Sequence, residues 1–371
     1  MLFSLEALKA EHGDCLLLHW GTASAPRRML IDGGPAGVYE DTLRPRLMQL
    51  RRRGPVDRSG RLVLDAVVVS HAHPDHIVGV LELFRELRRD REQRRDARFR
   101  VRRLWHNGWA DVVAGDVTVL ANAASPTVRA VSRSLARSNE LAQIGRVLGL
   151  TLNRPFGAGV IQVGDAARLP GGLSVTVVGP EGEQITALRE LWAESMRARA
   201  VAKLAAFLDE SVLNLASIAL VVARGRNRVL LTGDARGDHI VRGLRDAGVL
   251  TGTTARFDVL KIPHHGSDRN VTVDFFRQLP ADHYIASGNG KHGNPEIETL
   301  RMLAEARGAA PYTVHFTYRE GEHELGPEIR AWKAEQTAAG RPVKTAFPLR
   351  RTRSLLVELG NEKLLSARIP A

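Results

Sequence analysis

Ser70-His71-Ala72-His73-Pro74-Asp75-His76 sets three imidazoles and a carboxylate within six residues. Neutral imidazole nitrogen and carboxylate oxygen are the ligands that zinc and similar divalent ions prefer. His71 and His73 alternate along an extended stretch, so both can point to one side. Asp75 and His76 are adjacent, so in an extended turn they can address a second point in space. That is a layout for two metals. Two more clusters supply further ligands: Thr232-Gly233-Asp234, and Pro263-His264-His265-Gly266-Ser267. A carboxylate such as Asp234 can bridge two cations and offset their mutual repulsion. His106, in Trp105-His106-Asn107, is of ligand type too, but it reads better as a strand-end surface residue.

Each cluster follows an apolar run. Leu62-Val63-Leu64-Asp65-Ala66-Val67-Val68-Val69 reads as a buried strand, and a helical pattern starts at Ile77. The first cluster therefore lies between the C-terminal end of a strand and a helix, where open α/β layers place their sites. Asn227 to Leu231 and Phe257 to Ile262 repeat the scheme ahead of Asp234 and of His264-His265. The first 35 residues read as strands over 2–8, 15–20 and 27–31, broken at Asp32-Gly33-Gly34-Pro35. Helices are expected at 42–53, 128–150, 185–208 and 328–338, and strands at 173–178, 312–318 and 354–358. Residues 106–170 fit no sheet pattern well; with 185–208 they read as insertions over the site, where substrate selection commonly resides. Residues 1–306 are expected to form one domain that carries these clusters, with 307–371 an α/β extension packed on it.

These residues resemble the metallo-β-lactamase superfamily, whose signature is His-x-His-x-Asp-His. The pattern looks most like the soluble hydrolase domain of the competence protein ComEC. The matching pieces are Gly13-Asp14-Cys15, Asp32-Gly33-Gly34, Ser70 to Gly79, Asn214 to Asp234, Leu260 to Ser267 and, more weakly, Ser287 to Pro295. The resemblance implies an α/β fold, an αββα sandwich with helical insertions and a metal site at one edge between two sheets. It also implies metal ligation by His71, His73, Asp75, His76, Asp234, His264 and His265, with Zn²⁺ as the ion, two per chain, and Mn²⁺ as the competitor. Asp75 would also orient the nucleophile, and one of His264 and His265 would hold metal while the other contacts the scissile group. Two departures stand out. No histidine precedes the strand before Thr232-Gly233-Asp234, where the chain has Asn214, placed to fill the gap directly or through water. His292-Gly293-Asn294-Pro295 stands where the branch usually has Tyr-Gly-His-Pro, so His292 is a candidate catalytic residue whose histidine has moved two places.

At 371 residues the chain is long enough for a full core. Its one cysteine, Cys15, excludes an internal disulfide and reads as a buried structural thiol in a reducing, cytoplasmic setting. The N-terminus lacks the basic head and apolar run of a secretion signal, and no apolar stretch is long enough to span a bilayer. Net charge is +12. Arginines crowd Arg88-Arg89-Asp90-Arg91-Glu92-Gln93-Arg94-Arg95, Arg51-Arg52-Arg53 and Arg350-Arg351-Thr352-Arg353, either as solvated helix ends or as a positive rim that gathers a polyanion near the metals. No base-reading motif is present. The expected activity is metal-dependent hydrolysis of a phosphodiester, with nucleic acid as substrate. Hydrolysis of a small ester, lactone or lactam is the alternative, and a binding protein on a decayed scaffold is the third reading, disfavoured by the intact ligands.

Overall fold

Every residue of β1 (Leu2–Leu8) is buried, which a strand achieves only with cover on both faces. The computed structural model, which describes residues 1–113, 126–157, 159–197, 214, 216–341 and 343–363, supplies that cover with four layers. In the first sheet β1 is joined by β2 (Leu16–Gly21), β3 (Pro26–Ile31), β5 (Ala66–Val69), β7 (Leu104–His106) and β16 (Ser354–Glu358), in the order β16-β1-β2-β3-β5-β7. A short parallel pair, β4 (Leu62–Leu64) with β6 (Phe99–Val101), leads into β5 and β7. The second sheet runs β15-β14-β13-β12-β11-β10-β9-β8. Its members are β8 (Ala166–Leu169), β9 (Leu173–Gly179), β10 (Ala219–Arg224), β11 (Asn227–Leu231), β12 (Phe257–Lys261), β13 (Ala281–Ala286), β14 (Tyr312–Phe316) and β15 (Val343–Ala346).

Phe3, Leu5, Leu18 and Val68 of the first sheet meet Val175, Leu220, Val229 and Ile285 of the second in the central apolar layer. The outer face of the first sheet packs on α1 (Arg44–Arg53), α2 (Pro74–Glu92) and α4 (Pro126–Val147), α3 being the short Trp109–Val113. α5 (Gly182–Arg197) follows β9. The outer face of the second sheet packs on α6 (Gly237–Asp246), α7 (Val273–Gln278), α8 (Ile297–Arg307) and α9 (Gly326–Ala338). This is the α/β sandwich that the motifs imply. The C-terminal region is woven into it: β14 and β15 extend the second sheet, and β16 pairs with β1.

Three local departures have physical causes. The run 62–69 is two strands, because Asp65 leaves the ladder to take Arg27 at 2.7 Å; the first half then pairs with β6 and the second with β3 and β7. A strand, β8, lies within 106–170, turned back on β9 through Gly171-Gly172. The helix expected over 185–208 starts at Gly182, and 198–213 lies outside the described residues. No helix among the described residues is long and apolar enough to cross a membrane.

Candidate metal centre

The metal loop is fixed by close backbone approaches. A Cβ on Gly79 would sit 2.0 Å from the Gly33 carbonyl oxygen, and one on Gly13 would sit 1.9 Å from that of Asp75. Only glycine allows these contacts, which press the turns after β1 and β3 against the start of α2. Asp75 and His76 occupy the first turn of α2, with Pro74 opening the helix and His73 preceding it. The expected extended turn is therefore a helix N-terminus, where proline's fixed φ suits the first position.

Asp75, His76, Asp234 and His265 aim four ligand atoms at one point. His76 Nε2 lies 3.2 Å from His265 Nε2, 3.3 Å from Asp234 Oδ2 and 3.7 Å from Asp75 Oδ2. His265 Nε2 lies 3.3 Å from Asp75 Oδ2 and 3.6 Å from Asp234 Oδ2. A tetrahedron with ligand bonds of about 2.05 Å has edges of about 3.3 Å, so these five separations are close to what a four-coordinate cation needs. Asp14, not Asp75, is the carboxylate whose ligand atom lies mutually close to those of His76, Asp234 and His265, but it faces the other side of the His265 ring, 3.4 Å from Nδ1, and its second oxygen is held by Lys261 at 2.9 Å. It orients His265 from behind.

A second group, His71, His73 and Asp234, shares the same carboxylate. His71 Nε2 is 3.7 Å from Asp234 Oδ2, and His264 Nε2 approaches that oxygen to 3.6 Å. His264 and His265 both have positive φ, 48° and 54°. In a strand, neighbouring side chains diverge; this left-handed pair instead brings both rings to Asp234, at a cost of about 1–3 kcal/mol each. The buried cluster suits a binuclear metal site. Some polar atoms here have no partner: among the described residues, His71 Nε2, both oxygens of Asp234 and the nearby Asn214 Oδ1 are buried and without a hydrogen bond. Buried unpaired groups of this kind are costly unless a ligand satisfies them.

The opposite ring nitrogens are spoken for. His76 Nδ1–H donates to Asp32 Oδ2 at 2.9 Å, and His264 Nδ1–H to Asn270 Oδ1 at 2.8 Å. His71 Nδ1 is 3.0 Å from Ser70 Oγ, which itself donates to Asp32 at 2.7 Å, and His265 Nδ1 is 2.9 Å from Ser287 Oγ. Such outer hydrogen bonds fix the ring and leave Nε2 free for a metal. Burial raises the carboxyl pKa of Asp234, but His76, His265 and His264 outweigh it and hold it well below the usual range. Asp75 is lowered likewise by His76 and His265 against burial. Burial works against protonated His76 and His265, yet the surrounding carboxylates push His76 well up and His265 to about 9. Burial and the neighbouring His76 keep His71 well below the ordinary histidine value.

Other candidates fall outside this constellation. His106 ends β7 as expected, but it is buried, not at the surface, with Nε2 2.9 Å from Ser138 Oγ; burial lowers its pKa to about 4. His292 is exposed and stacks edge-on against His12 at 4.6 Å. His12, Asp14, Asp32, Asn270 and Ser287 escaped the sequence reading as site residues, although Gly13-Asp14 and Asp32-Gly33-Gly34 lay in its matching pieces. For Asp14 and Asp32 the signal was a carboxylate beside glycine next to a strand.

Residues 27–153 match the model of the beta-lactamase superfamily domain. Over those residues the chain is similar to that superfamily's domain. Asp234, His264 and His265 lie beyond the matched residues, so the candidate centre joins the matched segment to the second sheet. Zn²⁺-bound PqqB from Methylobacterium extorquens is a similar solved structure, at 12% identity and TM-score 0.43 over 96% of this chain and 100% of that one. CmlA, a diiron β-hydroxylase from Streptomyces venezuelae, is similar at 11% identity and TM-score 0.39 over 96% of this chain and 54% of that one. No curated protein matches the chain.

Proposed function

We propose that the chain is a two-metal phosphodiesterase acting on nucleic acid. Asp75, His76, Asp234 and His265 would hold one cation. His71, His73 and the shared Asp234 would hold the other, with Asn214 and His264 as the groups available where a third histidine is missing. Two bound cations supply Lewis acidity toward a phosphoryl oxygen and acidify water. Asp75 contributes a fixed carboxylate at the cluster's edge, able to accept a hydrogen bond and so orient the attacking water. His264, about a third exposed, keeps its Nδ1–H on Asn270 and presents its ring between Asp234 and solvent.

The observation that carries the choice of an anionic substrate is the chemistry around His12. Its ring meets that of His292 edge-on at 4.6 Å, the exposed Lys291 adjoins His292 in the chain, and the turn after His12 packs on the Asp75 backbone. These groups match a phosphodiester better than a neutral lactone or lactam. The ComEC-like motifs point the same way, and zinc or manganese would serve.

Purified protein loaded with Zn²⁺ or Mn²⁺ should hydrolyse bis-p-nitrophenyl phosphate and single- or double-stranded nucleic acid. Asp75→Ala should lower that rate by several powers of ten, by about 10³ or more, while the melting temperature stays close to wild type. Turnover of neutral esters or lactams alone would overturn the reading, as would an Asp75→Ala variant within tenfold of wild type.

A further inference from the structure

The arginines of 88–103 do not ring the metals. α2 is 19 residues long and begins at the metal loop, so its arginine-rich end lies about 27 Å away at 1.5 Å per residue. The strands give a second ruler: β7 ends beside β5 at the metal edge, while β6, five residues upstream, pairs with β4. At this far end the last turn of α2, the segment after it, β6 and the turn after α4 enclose a cleft of about 750 Å³. Arg61, Arg91, Arg95, Arg100 and Arg102 line it against a single carboxylate, Asp96. Leu87, Phe99, Leu148 and Leu150 add apolar surface to its lining.

The local acids only partly neutralise these guanidinium groups. Asp57 serves both Arg61, at 2.8 Å, and Arg100, at 3.7 Å. Asp65 is engaged by Arg27 at 2.7 Å and lies 3.9 Å from Arg102. Arg95 meets Asp90 at 3.2 Å, and Arg91 caps the Val147 carbonyl at the end of α4. Arg95, Arg100 and Arg102 remain 56%, 50% and 44% exposed. Arg100 alternates with the buried Phe99 in β6 and so stands on its outer side, and Arg102 follows just past the strand's end.

We infer that this cleft is a second anion site, an exosite that grips the phosphate backbone of a nucleic acid whose scissile bond lies at the metal centre. The inference rests on the phosphodiesterase reading for the role of the far end, though not for the binding itself. Planar, always-charged guanidinium groups engage phosphate oxygens in pairs, and the apolar part of the lining offers a surface for an unstacked base. At about 3.4 Å of helix axis per phosphate of a stacked strand, 27 Å corresponds to about 8 nucleotides, and an extended strand needs fewer. Shorter substrates reach one site only.

Fluorescence anisotropy with labelled single-stranded DNA of about 4 and about 20 nucleotides tests this on the full chain, the lengths bracketing that span. The longer strand should bind at least tenfold more tightly than the shorter. The double variant Arg100→Gln/Arg102→Gln should erase most of that advantage and flatten the salt dependence, because each lost phosphate contact removes about 0.7 from the log–log slope. Arg100→Lys/Arg102→Lys should retain part of it, which separates charge from damaged folding; a thermal melt of both variants provides the second control. Hydrolysis of bis-p-nitrophenyl phosphate should be the same in all three proteins. Equal binding of the two lengths, or an unchanged Gln variant, overturns the exosite. So does tight binding of a mononucleotide with no gain from length. If length-dependent binding is lost with the Gln variant but no phosphodiester is cleaved, the exosite stands and the phosphodiesterase reading fails.

Discussion

Asp234 Oδ2 lies between 3.3 and 3.7 Å from the Nε2 of His71, His76, His264 and His265. Four imidazoles around one buried carboxylate oxygen make sense if they are split between two cations that both touch Asp234. Asp234→Asn keeps the shape and removes the charge, so elemental analysis should show a loss from two divalent ions per chain to one or none. His265→Ala should remove the tetrahedral ion. His264→Ala should keep that ion and weaken only the other, because His264 is absent from the tetrahedral set. An equal loss in both histidine variants would refute this division. The clustering was legible from the start: the spacing in His71-Ala72-His73-Pro74-Asp75-His76 marks ligand-type side chains, and the structure brings them together. The division between His264 and His265 was not, because it depends on two positive φ angles that no pattern of residue types reveals.

At the scale of elements, the loop works because backbones touch. The Gly33 and Gly79 contact joins the turn after β3 to α2, and Asp32, just before it, supports both Ser70 and His76. Gly79→Ala should cost about 1–3 kcal/mol as an overpacked contact, seen as a lower denaturation midpoint in urea. It should also weaken metal binding, since a displaced α2 carries Asp75 and His76 with it. A variant with wild-type stability and metal affinity would show that the approach is slack. Strand order along the chain was readable from aliphatic runs, including β1, β3, β9 and β16 within a residue or two. The split at Asp65 was not, because an ion pair to Arg27 made a polar residue more favourable out of the ladder than in it. The charge run of 88–95 was visible, but its distance from the metals required knowing the length and direction of α2.

At the scale of the whole molecule, the chain closes on itself through a buried carboxylate. Glu6 of β1 receives Arg46 of α1 at 2.8 Å, His19 of β2 at 3.0 Å and Ser354 of β16 at 2.6 Å. One side chain thus ties the first strand, its neighbour, the covering helix and a strand near the C-terminal end. Nothing in the local pattern of Leu2-Phe3-Ser4-Leu5-Glu6 foretells it, since the partners lie up to 348 residues away. Burial opposes the charge on Glu6, but Arg46 and His19 overcome it and lower its pKa from 4.5 to about 2. The folded pKa is below the unfolded one, so this stabilisation is complete above about pH 4.5 and is lost as the pH falls toward 2. Its size is on the order of 3 kcal/mol. His19 adds in the same direction, because burial lowers its pKa and unfolding lets it take up a proton. Urea midpoints measured from pH 7 down to about pH 3 should therefore fall. Glu6→Gln should start lower at neutral pH and lose the part of the slope below pH 4.5, while the His19 part above it persists. A parallel slope in the two proteins over that acid range would show that the tie carries no net stability.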